Sequence, residues 1–201
     1  MTVPLRHTLL ALLTVVVWGA NLLVIDIGLS DMPPLLFLAL RFTLVVFPAV
    51  LFIRPPRMAW RDILLIGGFL SLGQFTLLYI ALAMGMPPGL ASLLHQAQVL
   101  LTVVVGAVIL RERPTRRQLA GVLIGTAGLA VVVVGHGESA PWLPIVVLAG
   151  ASLCWAIGNV LTRRAGSPAG LALVVWFCLV LPRPALLLSP AIGTPAPVQR
   201  L

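Results

Sequence analysis

Seven apolar runs, each long enough to cross a bilayer, fill this chain almost from end to end. They cover about residues 8–28, 34–53, 63–84, 89–110, 118–135, 142–162 and 169–189. An α-helix rises 1.5 Å per residue, so about 20 apolar residues span the hydrocarbon core. Lipid offers no partner to an unpaired backbone group, so each run must be helical. The links are short and rich in turn residues, such as Ser30-Asp31-Met32-Pro33-Pro34 and Gly85-Met86-Pro87-Pro88-Gly89. The expected fold class is therefore an all-α polytopic membrane protein with about seven transmembrane helices. The seventh run is the weakest, because Pro182, Arg183 and Pro184 interrupt it. Composition agrees: only 9% of the 201 residues are charged and 60% are hydrophobic, against about 25% charged in a soluble domain.

The charges are laid out by topology. All thirteen basic residues are arginine, and the formal net charge is +8. Arg6 precedes the first run, and Arg54, Arg57 and Arg61 follow the second. Arg111, Arg113, Arg116 and Arg117 follow the fourth, and Arg163 and Arg164 the sixth. The links after runs one, three and five carry no arginine. This alternation predicts a cytoplasmic N-terminus. It also explains the basic balance by orientation and contact with anionic lipid, so no nucleic-acid partner is expected. The first run is too long for the core of a cleaved signal peptide and reads as a span. Cys154 and Cys178 lie inside apolar runs, with no disulfide or metal-ligand spacing.

A weak internal repeat sits on this topology. Trp18-Gly19-Ala20-Asn21 in the first run has a counterpart in Trp155-Ala156-Ile157-Gly158-Asn159 of the sixth. The repeat unit is five runs long, and five is odd. A second copy therefore starts from the opposite side of the membrane, the arrangement of inverted-repeat transporters. The expected organisation is a five-helix repeat over 1–140, a partial second repeat over 141–190 with two helices, and a disordered tail over 191–201. A second unit of equal length needs more residues than remain, and prolines crowd the end. The expectation is a truncated or frame-shifted C-terminus or a fragment, with a genuine short form as the alternative.

The ordered set of short motifs resembles the EamA family of the drug/metabolite transporter superfamily, most of all its bacterial O-acetylserine/cysteine exporter group. The likeness runs colinearly over about residues 5–180. It is carried by Trp18-Gly19-Ala20-Asn21, Met32-Pro33-Pro34-Leu35, Leu40-Arg41-Phe42 and Phe47-Pro48-Ala49. It continues through Gly85-Met86-Pro87, Gly89-Leu90-Ala91-Ser92, Gln96-Ala97-Gln98, Glu112-Arg113, Gln118-Leu119-Ala120-Gly121, Gly128-Leu129 and Cys154-Trp155-Ala156. The resemblance implies ten helices in two repeats around a central cavity, most of the second repeat being absent here. It also implies gradient-driven export of small amino-acid-pathway metabolites across a bacterial inner membrane.

Polar side chains within spans mark a cavity or a helix–helix contact. Span 4 has His95, Gln98 and Thr102 at i, i+3 and i+7, with Ser92 and Gln96 beside them. That spacing gives one broad polar face. It suits a wall that hydrogen-bonds an amphoteric substrate, with His95 able to exchange a proton; interhelical hydrogen bonding explains it equally simply. The resemblance supports Gln96 and Gln98 better than His95. Gln74 in span 3, and Trp18, Asn21 and Asn159 in the two pseudo-equivalent spans, complete the candidate substrate-binding set. Packing between helices is the competing role for the Trp and Asn residues. Arg41 lies inside span 2, where a central Arg costs about 2.5–3.5 kcal/mol on the insertion scale. Asp26 near the end of span 1 is its expected partner, in a gate or ion pair; snorkelling to the surface is the alternative. Glu112, among arginines, is expected to form a local ion pair at the end of span 4. Gly121, Gly125 and Gly128 give span 5 a small-residue face, for packing in the repeat or for a homodimer.

No cofactor is expected. The chain has no G-x-x-x-x-G-K-[ST] loop, no Lys and no His/Asp/Glu cluster with metal-ligand spacing. Three functions are compatible with this sequence to different degrees. A carrier for a small-molecule substrate leads. A non-transporting fragment, or a half-carrier that must dimerise, comes second. An intramembrane enzyme comes last, because no serine has a nucleophile-like context beside His95.

Overall fold

The computed structural model describes residues 5–29, 32–135, 142–166 and 170–192; for Leu22, Asp26 and residues 190–192 only the backbone is described. Its helices are α1 (Leu5–Leu29), α2 (Pro34–Phe52), α3 (Trp60–Ala83), α4 (Pro88–Ile109), α5 (Arg116–Gly135), α6 (Trp142–Arg164), α7 (Leu171–Cys178) and α8 (Pro182–Ile192). No strand occurs among the described residues. With Leu171–Ser189 taken as one, seven described segments are long and apolar enough to cross a membrane. The chain is a multi-pass helical membrane protein. The seventh segment is broken at Leu179–Leu181, and α8 starts on Pro182. Proline suits a first helical position, where its missing N–H has no partner to lose. Residues 191–192 finish α8; the rest of the expected tail lies outside the described residues.

Local sequence sets the helix ends. Pro34 and Pro88 open α2 and α4. Thr115 and Gln118 form a reciprocal capping box at α5: Gln118 N–H donates to Thr115 Oγ1 at 3.2 Å, and Thr115 N–H to Gln118 Oε1 at 2.8 Å. The α3 C-terminus closes in a Schellman turn. Gly85 takes φ +89°, Met86 N–H donates to Ala81 O, and Gly85 N–H donates to Leu82 O.

The core sits where α6 crosses α3 and α4. The buried residues of α6 are Pro144, Leu148, Ala151, Ser152, Ala156, Gly158 and Val160. Small side chains bring backbones together here. A Cβ on Gly158 would lie 2.8 Å from Leu70 Cβ and 3.1 Å from Leu70 N, so only glycine allows this crossing. Gly67 likewise meets the Phe177 carbonyl of α7, where a Cβ would lie 2.5 Å away. Helix α8 lies along α2, and the Trp176 indole N–H donates to the Ile53 carbonyl at 3.0 Å. At the periphery, α5 buries none of its residues and α1 buries only Ile25 among those whose side chains are described. The exposed leucines and valines of both helices form the apolar outer surface that lipid requires.

Two spans read from sequence as continuous are irregular. In α3, Gly68–Gly73 winds as a π-helix before the α-helix resumes at Gln74. In α4 the chain tightens at Gln96, whose N–H bonds Leu93 O three residues back. Hydropathy averages over such local changes of winding, so it reports neither.

Candidate functional site

Both irregularities flank the most polar part of the interior. Gln74 is the first residue after the π-helical stretch, and His95 is the last before the tightened turn. Their side chains meet: Gln74 Nε2 lies 3.3 Å from His95 Nε2. On the other side of the ring, His95 Nδ1 lies 3.1 Å from Ser152 Oγ of α6. Ser152 Oγ also reaches the carbonyls of Leu148 at 3.1 Å and His95 at 3.4 Å. A polar seam, Gln74–His95–Ser152, thus stitches α3, α4 and α6 together. Gln74 and Ser152 are buried at 1% and 0% exposure.

The seam is incompletely satisfied. Gln74 Oε1 and Gln98 Oε1 are buried and have no hydrogen-bond partner among the described residues. An acceptor left so costs about 1–3 kcal/mol, and such groups are rare enough in native interiors to mark functional places. Aromatic rings border the seam. His95 packs edge-on to Trp155, centroids 5.7 Å apart, and Trp155 packs edge-on to Trp18 at 5.8 Å. Trp18 is largely exposed, so this aromatic pair leads from the seam to the surface of the bundle.

A second polar cluster lies beside α1. Arg41 Nη1 donates to the Tyr79 hydroxyl at 2.9 Å, and Arg41 Nη2 donates to Asn21 Oδ1 at 2.6 Å. The guanidinium therefore draws α1, α2 and α3 together with neutral oxygens. The Asp26 side chain, its expected partner, lies outside the described residues. Tyr79 is fully buried. It is the chain's single tyrosine, and its role as an arginine acceptor was not read from the sequence. Intramembrane position and charge single out Arg41, but nothing in the spacing of α3 singles out Tyr79.

The remaining candidates scatter. Gln96 is on the exposed side of α4, away from the seam. Gln98 is part-buried one turn beyond His95. Asn159 is part-buried two turns along α6 from Ser152, in no hydrogen bond among the described residues. Glu112 pairs with Arg163 of α6 at 2.8 and 3.0 Å, fifty-one residues away, rather than with the arginines beside it in the chain. Arg111 adopts a left-handed φ of +54° next to Glu112, where the chain leaves α4. Thr14, Ser92 and Thr102 bond carbonyls of their own helices, a local use that frees no group for a ligand. In α5, Gly125 packs on Leu100, while Gly121 and Gly128 have open space before them.

Two clefts lie away from the seam. One of about 620 Å³ is walled by apolar residues of α2, α3, α7 and α8, including Phe47, Trp60 and Trp176. A smaller one of about 230 Å³ lies between Arg61, Asp62 and Arg164 at the arginine-bearing end.

An apolar helical bundle with a part-satisfied polar seam, flanked by changes of helix winding in two spans, has features expected of a membrane transporter. The sequence pattern of the EamA-like transporter family matches residues 5–134. The chain belongs to that family. It is 41% identical over 186 residues to the "Probable amino-acid metabolite efflux pump" of Salmonella typhimurium, covering 90% of this chain and 62% of that protein. It is 40% identical over 181 residues to the protein of the same name in Escherichia coli strain K12, covering 87% and 60%. An "Uncharacterized inner membrane transporter YedA" of that strain is 29% identical over 175 residues, covering 84% and 56%. The chain thus spans about three fifths of the length of the curated relatives it matches. No solved structure matches it.

Proposed function

We propose that this chain works in the export of small amino-acid-pathway metabolites of the cysteine or O-acetylserine kind. Export is driven by a gradient, and the chain sits in a bacterial inner membrane with its N-terminus cytoplasmic. The observation that carries the reading is the polar seam of Gln74, His95 and Ser152, buried at the crossing of three spans in an otherwise apolar bundle. A zwitterionic solute needs hydrogen-bonding groups inside the membrane, and its path is marked by them. The 41% identity to a protein named as an efflux pump supports the solute class, and the alternation of arginines supports the orientation. Gln74, His95 and Gln98 line the path, with Trp18 at its border. Gln96 and Asn159 complete it when the bundle opens. Asn21, Arg41 and Asp26 act at the gate, and Glu112 ties α4 to α6. The family match over 5–134 supports reading the first five helices as one repeat, and α6 with the broken seventh segment as the start of a second. The chain is no enzyme; its named relatives are transporters.

The test is a cysteine-tolerance and efflux assay in cells expressing the chain, with its membrane abundance measured. Tolerance and extracellular cysteine above the empty vector are expected. No difference at confirmed abundance would sink the proposal for the chain acting alone. The half-carrier reading has one observation in its favour: α5 buries nothing, and Gly121 and Gly128 lie open on it. Crosslinking across that face, with efflux appearing only in the dimeric fraction, would establish it.

A further inference from the structure

We propose that His95 binds a proton and that the Gln74 amide is the latch that responds to it. The arrangement of hydrogens in the seam follows from counting donors. Ser152 has one hydroxyl hydrogen, and its Oγ lies within reach of two carbonyl oxygens, Leu148 and His95. The hydrogen goes to the backbone. His95 Nδ1, 3.1 Å from that Oγ, is then the donor to it. A neutral imidazole carries a single N–H, so Nε2 is bare and accepts from the Gln74 amide nitrogen at 3.3 Å. Gln74 Oε1 is left buried with no donor.

A proton taken up at Nε2 reverses that logic. The new Nε2–H and the Gln74 NH₂ would then face each other as two donors. A half-turn of the amide about its terminal bond puts Oε1 in place of the nitrogen, and the orphan acceptor gains the donor it lacks. One proton enters from water, no covalent bond other than N–H is made, and the same two side chains are paired in two ways. The seam is a bistable element of the kind that ligand-driven switching needs.

The backbone around it is placed to move. Gln74 adjoins the π-helical stretch of α3, and His95 adjoins the tightened turn of α4. Such departures from α-helical winding recur at functional hinges. Among the described residues no carboxylate or cation pairs with His95. The titratable groups on the helices packed around α4 are engaged or distant. Tyr79 of α3 holds Arg41, and Cys154 of α6 lies against Gly73. Arg163 holds Glu112, Asp62 lies beside Arg61, and Arg6, His7, Arg116, Arg117 and Arg164 stand at helix ends. The side chain of Asp26 on α1 is outside the described residues.

As the coupling-ion site of a carrier, His95 rests on the function proposed above; the latch itself does not, and its test needs no transport. The full chain, labelled with ¹⁵N in histidine and glutamine, is placed in lipid nanodiscs and titrated. His95 and Gln74 signals are assigned with the variants His95→Gln and Gln74→Leu. Above its midpoint His95 should be neutral with hydrogen on Nδ1, the less common tautomer. The Gln74 side-chain amide should shift with the same midpoint as the imidazole. Ser152→Ala removes the acceptor for Nδ1–H and should convert neutral His95 to the Nε2–H tautomer, with Gln74 already turned. An Nε2–H tautomer in the parent, a Gln74 amide that ignores the titration, or a Ser152→Ala protein with an unchanged tautomer would each overturn the latch. A chain that titrates as described yet fails the efflux assay would instead overturn the carrier reading and leave the latch standing.

Discussion

Helices α5 and α6 have nearly the same hydropathy, 2.0 and 1.9, and nearly the same length. Yet α5 buries none of its residues and α6 lies at the centre of the bundle. Hydropathy alone cannot separate them, because lipid and a protein neighbour are equally apolar partners. What separates them is the inventory of small and polar side chains and where it points. The buried face of α6 carries Ala151, Ser152, Ala156 and Gly158, and each brings a neighbour close or bonds to it. On α5 the glycines are more numerous, four against two, but only Gly125 meets a side chain. Burial in this membrane protein is decided by close approach and hydrogen bonding rather than by greasiness.

The sharpest way to break that comparison is to fill the glycines of both helices alike. Gly158→Leu must displace Leu70 backbone and side chain from about 3 Å. Overpacking of this kind costs roughly 1–3 kcal/mol or more, so the folded fraction in detergent should collapse. Gly121→Leu and Gly128→Leu on α5 meet open space and should leave thermal stability within about 0.5 kcal/mol. Equal sensitivity of the two helices, read by thermal aggregation in mild detergent, would show that α5 has a neighbour the bundle does not provide.

Next in size is the seam. Ser152→Val deletes the acceptor of His95 Nδ1–H and strands the imidazole. Interhelical hydrogen bonds in membranes are worth about 0.6 kcal/mol on average and up to about 1.7. The upper part of that range is expected here because Ser152 is fully buried and His95 partly so. Thr14→Val on exposed α1, where the hydroxyl only bonds its own helix, should be neutral. The difference between the two substitutions, measured by reversible unfolding in mixed micelles, is the quantity of interest; a difference of zero would remove the seam from the structural account.

Much of this was legible beforehand, and the illegible part has a common cause. The seven spans follow from run length and turn residues, and they agree with the helices to within a few residues. The sequence also marks His95 and Gln74, because polar groups in lipid stand out one at a time. Pairing is different. Which polar group meets which depends on helix rotation and crossing, and those are set by contacts such as Gly158 on Leu70 that no periodicity encodes. Hence Tyr79 as the partner of Arg41, and Arg163 as the partner of Glu112, are properties of the packed bundle and not of the sequence pattern. The winding changes at Gly68–Gly73 and Gln96 are illegible for a related reason: each is a short stretch inside an otherwise uniform apolar run.

Arg41 makes the comparison quantitative at the bundle's edge. Its guanidinium holds Asn21 and Tyr79 by neutral hydrogen bonds, so the geometry matters as well as the charge. Arg41→Gln should lower stability by about 1 kcal/mol and loosen α1, which has little other packing. Arg41→Lys keeps the charge, reaches one partner at a time, and should fall between. Protease accessibility of the α1–α2 link gives the readout. Equal accessibility in all three proteins would mean that α1 is held by something other than Arg41.

The smallest effect belongs to a short ion pair. Glu112 and Arg163 make a two-oxygen ion pair at 2.8 and 3.0 Å, but both side chains are about half exposed, at 51% and 55%. Water already solvates each charge well, and salt screens their attraction. Glu112→Gln should therefore cost no more than about 0.5 kcal/mol at low salt, and less at 0.5 M. A short contact bridging fifty-one residues would thus count for less than a glycine with no side chain at all. If Glu112→Gln instead destabilised the bundle as much as Ser152→Val, at both salt concentrations, the pair would be shielded from water. The arginine-bearing end would then have to be as tightly closed as the seam.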